Sequence, residues 1–298
     1  MVFIPAKFRF KKRYIVYSFL VFYIIMCQAC MTMRYSNKET IAFFGASKTV
    51  FLDKNALIDG HNLHYIETGN AQKPTLIFVH GSPGSWNAFK EYLQDTTLLN
   101  KYRMIAIDRP GFGYSDFGEA QNLTKQSQII SSFIKQIDNK QPMILVGHSY
   151  GGPMVAKLTA DHPSWYKHVV ILAGSLDPKA ENPEQWRTIV KSVPLRYLVP
   201  GALRPSNDEL WWLKKDLFSL EPELKKITSA VTIIHGTKDA LVPFSNVAFM
   251  KKSFVAAQSI DSIVIDDANH FIPWSHYEIV RNALLNLEYM LIQTFHHQ

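Results

Sequence analysis

The chain has 298 residues, 47% of them hydrophobic, and a formal net charge of +7. That is enough for one sizeable globular domain with an insertion, and too apolar for a disordered protein. Five of the positive charges, Lys7, Arg9, Lys11, Lys12 and Arg13, precede any acidic residue, so +7 less these five leaves +2 for the rest and no general electrostatic case for nucleic acid.

The basic cluster is followed by YIVYSFLVFYIIMCQACMTM, an uncharged run bounded by Arg13 and Arg34. Residues 1–33 therefore read as a signal or anchor segment. Positive charges before the apolar run hold that end in the cytoplasm and place residues 34–298 on the far side of a membrane. Both cysteines, Cys27 and Cys30, fall inside the segment, so no disulfide framework is expected in the domain that follows. Cys27 and Ala29 suit a signal-peptidase cut after Ala29. The segment resembles the leader of a bacterial lipoprotein, which implies Cys30 as the lipid-bearing residue and an exported, membrane-associated protein facing the periplasm or the cell exterior. It departs from that pattern at Cys27, usually aliphatic, and at Gln28, usually small. An uncleaved signal anchor is the alternative, since the run is just long enough to span.

Beyond the leader, TVFLDKNALIDGHNLHYIETGN reads as a strand pair turned at Asp59-Gly60. Six short apolar runs follow: TLIFVHG, YRMIAIDRPG, MILVGHS, HVVILAGS, AVTIIHG and DSIVIDD. They read as buried parallel strands. Helical patterns lie between and after them, at Gln126 to Ile137, Pro153 to Asp161 and His276 to Phe295. The fold class expected is α/β, with a mostly parallel central sheet flanked by helices. From about 176 to 226 there is no convincing strand. That block reads as an inserted helical lid, with Ser206 or Asn207 as a helix cap and Leu210, Leu213, Leu217 and Leu220 at helical spacing.

The stretch MILVGHSYGGPM sets Ser149 in G-x-S-x-G between a strand and a helix, where the glycines keep side chains away while the hydroxyl projects above the sheet. A serine hydroxyl needs a histidine base, and the base needs an acid to orient it. Asp239 follows the strand AVTIIHG and His270 follows DSIVIDD, so both lie on loops at the strands' C-terminal edge, where ligands gather in open α/β sheets. Asp177 is a rival acid. Of the other histidines, His80 and His148 flank glycine turns and suit buried hydrogen bonding. His61 and His64 belong to the early hairpin, and His296 and His297 form a tail pair without metal-ligand spacing. Backbone donors for an oxyanion are expected from Tyr150 and from the loop HGSPGSW at Ser82.

The motifs HGSPGS, DRPGFGYS, GHSYGG, HGTKDALVP and NHFIPW resemble, in order, those of the lidded α/β-hydrolases, over the chain from about Phe51 onward. Relatives that open epoxides or remove halides carry an aspartate at the elbow, so the serine implies acyl chemistry. The resemblance implies a serine hydrolase acting on carboxylic esters, with Ser149, His270 and Asp239 as a triad, no metal or organic cofactor, and a small-molecule substrate that is an apolar acyl ester. It implies DRPGFGYS as a rigid turn at the site's floor, with Asp108 structural. Trp86, Trp186, Trp211, Trp212 and Trp274 are candidates for an apolar pocket. Alternatives on the same triad are an aminopeptidase, using Glu181, Glu184, Asp208 or Glu209 to hold an ammonium, and a carbon–carbon bond hydrolase. A membrane-anchored ligand-binding protein is the reading outside enzymology.

Overall fold

The computed structural model describes residues 11–293, with side chains to residue 287; Lys7, Arg9, His296 and His297 lie outside the described residues. Eight strands, β1 (Phe51–Ile58), β2 (His61–Thr68), β3 (Thr75–Val79), β4 (Arg103–Ile107), β5 (Met143–His148), β6 (Tyr166–Leu172), β7 (Ala230–Gly236) and β8 (Ile260–Ile265), form one sheet in the order β1-β2-β4-β3-β5-β6-β7-β8. β2 runs antiparallel to β1 and β4, and every pairing from β4 onward is parallel.

Local chemistry explains the frame. Asp59 and Gly60 take φ of +50° and +82°, which is what a two-residue hairpin turn demands of both central residues. β3, β4, β5 and β7 are buried at every position. Covered by helices on both faces, they need continuous apolar runs instead of alternation. β8, at the edge, is only partly covered.

The helices of six or more residues are α1 (Lys12–Ala29), α2 (Asn37–Ser47), α3 (Leu123–Ile137), α4 (Gly151–Asp161), α5 (Trp186–Lys191), α6 (Leu203–Leu220), α7 (Ser245–Ser253) and α8 (Tyr277–Gln293). α3 starts earlier than periodicity predicts because Asn122 caps it, its side chain accepting from the Lys125 N–H. α4 likewise starts at Gly151, two residues before Pro153.

The block between β6 and β7 carries α5, α6 and two 3-10 turns, Leu195–Leu198 and Glu221–Lys226, and no strand. The expected cap at Ser206 or Asn207 is not one: α6 begins at Leu203 and both residues sit buried in its early turns. Pro205 fits inside the first turn, since the first N–H groups of a helix have no partner inside it.

α1 occupies the expected leader. It stops at Ala29, where Cys30 turns extended. The helix is thus shorter than the uncharged run, and among the described residues no helix is long and apolar enough to cross a membrane.

Candidate active site

Ser149 stands between β5 and α4 with φ of +56°. A non-glycine residue there is strained by about 1–2 kcal/mol. Its backbone is held at both ends: the N–H donates to Leu172 O at 3.0 Å and the carbonyl accepts from Gly152 N at 2.9 Å. The flanking glycines are steric necessities. A Cβ on Gly147 would collide with the Gly151 backbone, and one on Gly151 with the Val79 carbonyl. Gly81, after β3, approaches so closely that a Cβ there would lie 2.9 Å from that of Ser149.

Asp239, on the loop after β7, accepts from Leu241 N at 2.9 Å and Val242 N at 2.8 Å through Oδ1. Its Oδ2 lies 2.7 Å from His270 Nδ1. Burial pushes the carboxyl's pKa up, but the His270 hydrogen bond and the two N–H groups outweigh it, leaving Asp239 below its usual value. With both oxygens engaged, the acid holds the ring of His270 in one orientation. The His270 carbonyl is in turn met by His148 Nε2 at 3.0 Å. Burial, and then the positive potential of His270, lower the His148 pKa to about 3, so His148 serves as a neutral donor. The Ser149 hydroxyl and His270 Nε2 have no hydrogen-bond partner among the described residues, and both residues line one cleft of about 990 Å³.

The cleft walls are apolar at Leu213, Leu241, Phe271 and Trp274, while Glu181, Glu184 and Arg187 from the insert supply charge. Glu184 is paired with Arg187. Glu181 accepts from Ser175 Oγ, and burial raises its pKa. Ser82 and Tyr150 also line the cleft, and the hydrogen bonds of the described residues include none from either backbone N–H. The Ser82 hydroxyl donates to Ser206 Oγ at 2.8 Å, tying the β3 loop to α6.

One element escaped the sequence. Arg109, fully buried, donates from Nε to His80 O at 2.9 Å and from Nη2 to Gly81 O at 2.9 Å, and forks onto Glu209 at 2.7 and 2.8 Å. Its guanidinium also lies 4.5 Å from the Tyr150 ring centre. The arginine thus braces the Ser82 loop against α6, and Glu209, a candidate for a substrate ammonium, is already occupied. Asp208 is buried on the same helix, 3.7 Å from Arg196.

The remaining candidates separate from the site. Asp177 caps its own loop by accepting from Lys179 N at 2.9 Å and makes no bond to His270. His80 bonds Gly81 O at 2.7 Å and receives the Arg109 N–H at 3.0 Å. Asp108 is structural in position: it accepts from Trp86 N at 2.7 Å and Tyr114 N at 2.9 Å and pairs with His64. His61 pairs with Asp116 at 2.9 Å. Of the tryptophans, Trp274 lines the cleft, Trp86 is core, and Trp186 lies exposed on the insert. Among the described residues no group of three His, Cys, Asp or Glu side chains is placed to hold a metal ion.

A mostly parallel eight-stranded sheet with a strained serine elbow at its C-terminal edge is the α/β-hydrolase fold, and residues 74–198 match the family model described as the alpha/beta hydrolase fold. An uncharacterized hydrolase of Bacillus subtilis, YugF, is 28% identical over 225 residues, 62% of this chain and 80% of its own length. The 1-acylglycerol-3-phosphate O-acyltransferase of Arabidopsis thaliana is 31% identical over 144 residues, but the match covers 45% of this chain and 34% of the plant protein. Epoxide hydrolase 4 of Mus musculus is 25% identical over 115 residues, 38% of this chain and 32% of that protein. Among solved structures, a bacterial membrane phospholipase A superposes with a TM-score of 0.59 at 18% identity, covering 93% of this chain and all of the other. The chain thus has the α/β-hydrolase fold.

Proposed function

We propose that the protein is a serine hydrolase cleaving carboxylic esters through an acyl-enzyme, with Ser149, His270 and Asp239 as its triad. The observation that carries this is the 2.7 Å bond from Asp239 to His270 Nδ1, which leaves Nε2 without a partner on the wall of the cleft that also holds Ser149. In this reading Ser149 Oγ attacks the ester carbonyl while His270 Nε2 takes its proton. The N–H groups of Ser82 and Tyr150 stabilise the oxyanion. The carbon–oxygen bond to the alcohol breaks as His270 returns the proton to it. A water, deprotonated by His270, then attacks the acyl carbon and releases the acid and the free serine. Asp239 keeps the imidazole in the productive tautomer throughout. A serine at the elbow supports acyl transfer over the alkyl chemistry named for the epoxide hydrolase relatives. The apolar wall supports an acyl chain as the group bound, and the helical insert acts as a lid over it.

A second reading, an aminopeptidase, is favoured by one observation, the presence of Glu181 and Glu184 at the cleft. Purified protein should react rapidly with a fluorophosphonate and hydrolyse p-nitrophenyl esters, and Ser149→Ala should lose both, with turnover down about 10⁴-fold or more. Turnover of aminoacyl p-nitroanilides instead of esters would select the aminopeptidase. A folded wild type that neither labels nor turns over either substrate would leave the binding protein.

Export and membrane association through the N-terminus belong to the same proposal, in one of two forms: a lipid on Cys30 after a cut behind Ala29, or the segment retained. Cys30→Ser should release the protein from membranes in the first form and leave it bound in the second.

A further inference from the structure

α1 has an apolar surface on nearly every side. Ile15, Val16, Phe19, Val21, Phe22 and Ile25 are each 56% to 69% exposed, whereas a helix packed on a protein partner needs only one apolar face. A surface of this kind marks a membrane contact more readily than a protein one, because lipid can cover every side at once. The charges agree: Lys11, Lys12 and Arg13 gather at the helix start, and residues 183–204 of the insert carry Arg187, Lys191, Arg196 and Arg204 against Glu184 alone. Such a balance favours anionic headgroups.

The last turn of α1 is built into the insert. Cys27 is buried, with Sγ 3.4 Å from Leu198 O. Gln28 Nε2 donates to Tyr197 O at 2.9 Å, Gly201 N donates to Cys27 O at 2.8 Å, and Arg204 bonds Gln28 Oε1. A cut after Ala29 would remove all four links. Around this junction the insert exposes Trp186, Ile189, Val193, Leu195 and Tyr197, at 38% to 72%. The cleft is close by: Met33, just after α1, lines it, and so does Arg187, the neighbour of Trp186.

We propose that α1 is retained and, with the outer surface of the insert, forms one docking surface for an anionic phospholipid bilayer. α1 sinks into the bilayer, where lipid covers its apolar sides, with Lys11, Lys12 and Arg13 at the headgroups, and the insert bound to its last turn brings the cleft to the membrane surface. This rests on the reading of N-terminal membrane association but not on ester turnover, so the two can fail separately.

The test uses the full chain with phosphatidylcholine vesicles, with and without phosphatidylglycerol. Binding should be stronger to the anionic vesicles. Lipids brominated on their acyl chains should quench tryptophan fluorescence in the wild type, and much of that quenching should vanish in Trp186→Phe. Ile189→Ser with Val193→Ser should weaken vesicle binding roughly tenfold, with the melting curve and soluble p-nitrophenyl acetate turnover unchanged. Intact mass of membrane-extracted protein should include residues 12–29. A mass beginning at Cys30, equal binding to neutral vesicles, or quenching and binding that survive the insert substitutions would each overturn the proposal. A wild type that binds as expected but turns over no ester would count against the esterase reading alone.

Discussion

Two buried histidines face carboxylates at nearly the same distance and come to different ends. His64, on β2, has Asp108 at 2.8 Å from Nδ1 and Asp53 at 2.9 Å from Nε2. His270 has Asp239 at 2.7 Å from Nδ1 and no acceptor for Nε2 among the described residues. Burial lowers the His64 pKa, but the two carboxylates outweigh it and the net shift is upward. A ring held between two acids is a strut joining β1, β2 and the turn after β4. A ring held by one acid beside a cavity has a nitrogen left to exchange a proton. Proximity to a carboxylate is therefore not enough to mark a histidine as a proton-transfer group; a second nitrogen left without a partner in a residue that lines a cleft beside a serine is needed as well.

Matched substitutions can break this contrast. Asp239→Asn should lower ester kcat by about 10³- to 10⁴-fold, since the imidazole loses its tautomer and orientation. Asp53→Asn should change it by less than about threefold. Equal losses in steady-state assays would end the distinction between the two rings.

The brace beneath the site comes next in size. Glu209→Ala leaves the fully buried Arg109 charge unpaired. Urea unfolding should show a loss of roughly 3–5 kcal/mol, and a loss below about 1 kcal/mol would mean that the pair braces nothing.

The strut itself should show through pH. The folded pKa of His64 lies above its ordinary value of 6.5, so its stabilisation is complete below about 6.5 and fades as pH rises through the raised value. The melting-temperature gap between wild type and His64→Gln should be widest near pH 6 and narrow progressively as the pH is raised above 6.5. A gap constant over that range would show that His64 does not carry the charge.

The smallest effect is expected at Ser82. Its side chain bonds Ser206, while the N–H is the group assigned to the oxyanion. Ser82→Ala should cost about 1 kcal/mol of stability and leave turnover within about threefold. A loss of a hundredfold would make the hydroxyl itself a participant.

How much of this was legible in the sequence follows from how local each cause is. The inner strands were readable because burial on both faces leaves mostly apolar residues along them. The Asp59-Gly60 turn was readable because few residues tolerate its dihedral angles. The elbow was readable because Gly147 and Gly151 are required by contacts within one strand–turn–helix unit. The position of Asp239 and His270 after successive strands followed from topology once the sheet was recognised. Less local causes were hidden. α6 begins before its supposed cap because Pro205 fits inside a first turn, and the Asn122 cap lay just ahead of the periodic pattern.

The sequence by itself determined the order of strands and turns and the identity of the residues that end them, because sterics and burial act within a few residues. Only the tertiary structure decided that His270 keeps a nitrogen without a partner in the cleft that Ser149 also lines, that Glu209 answers Arg109 and not a ligand, and that the last turn of α1 joins the helical insert. Those outcomes depend on side chains from distant segments competing for the same hydrogen bonds, and such competition exists only once the chain has closed on itself.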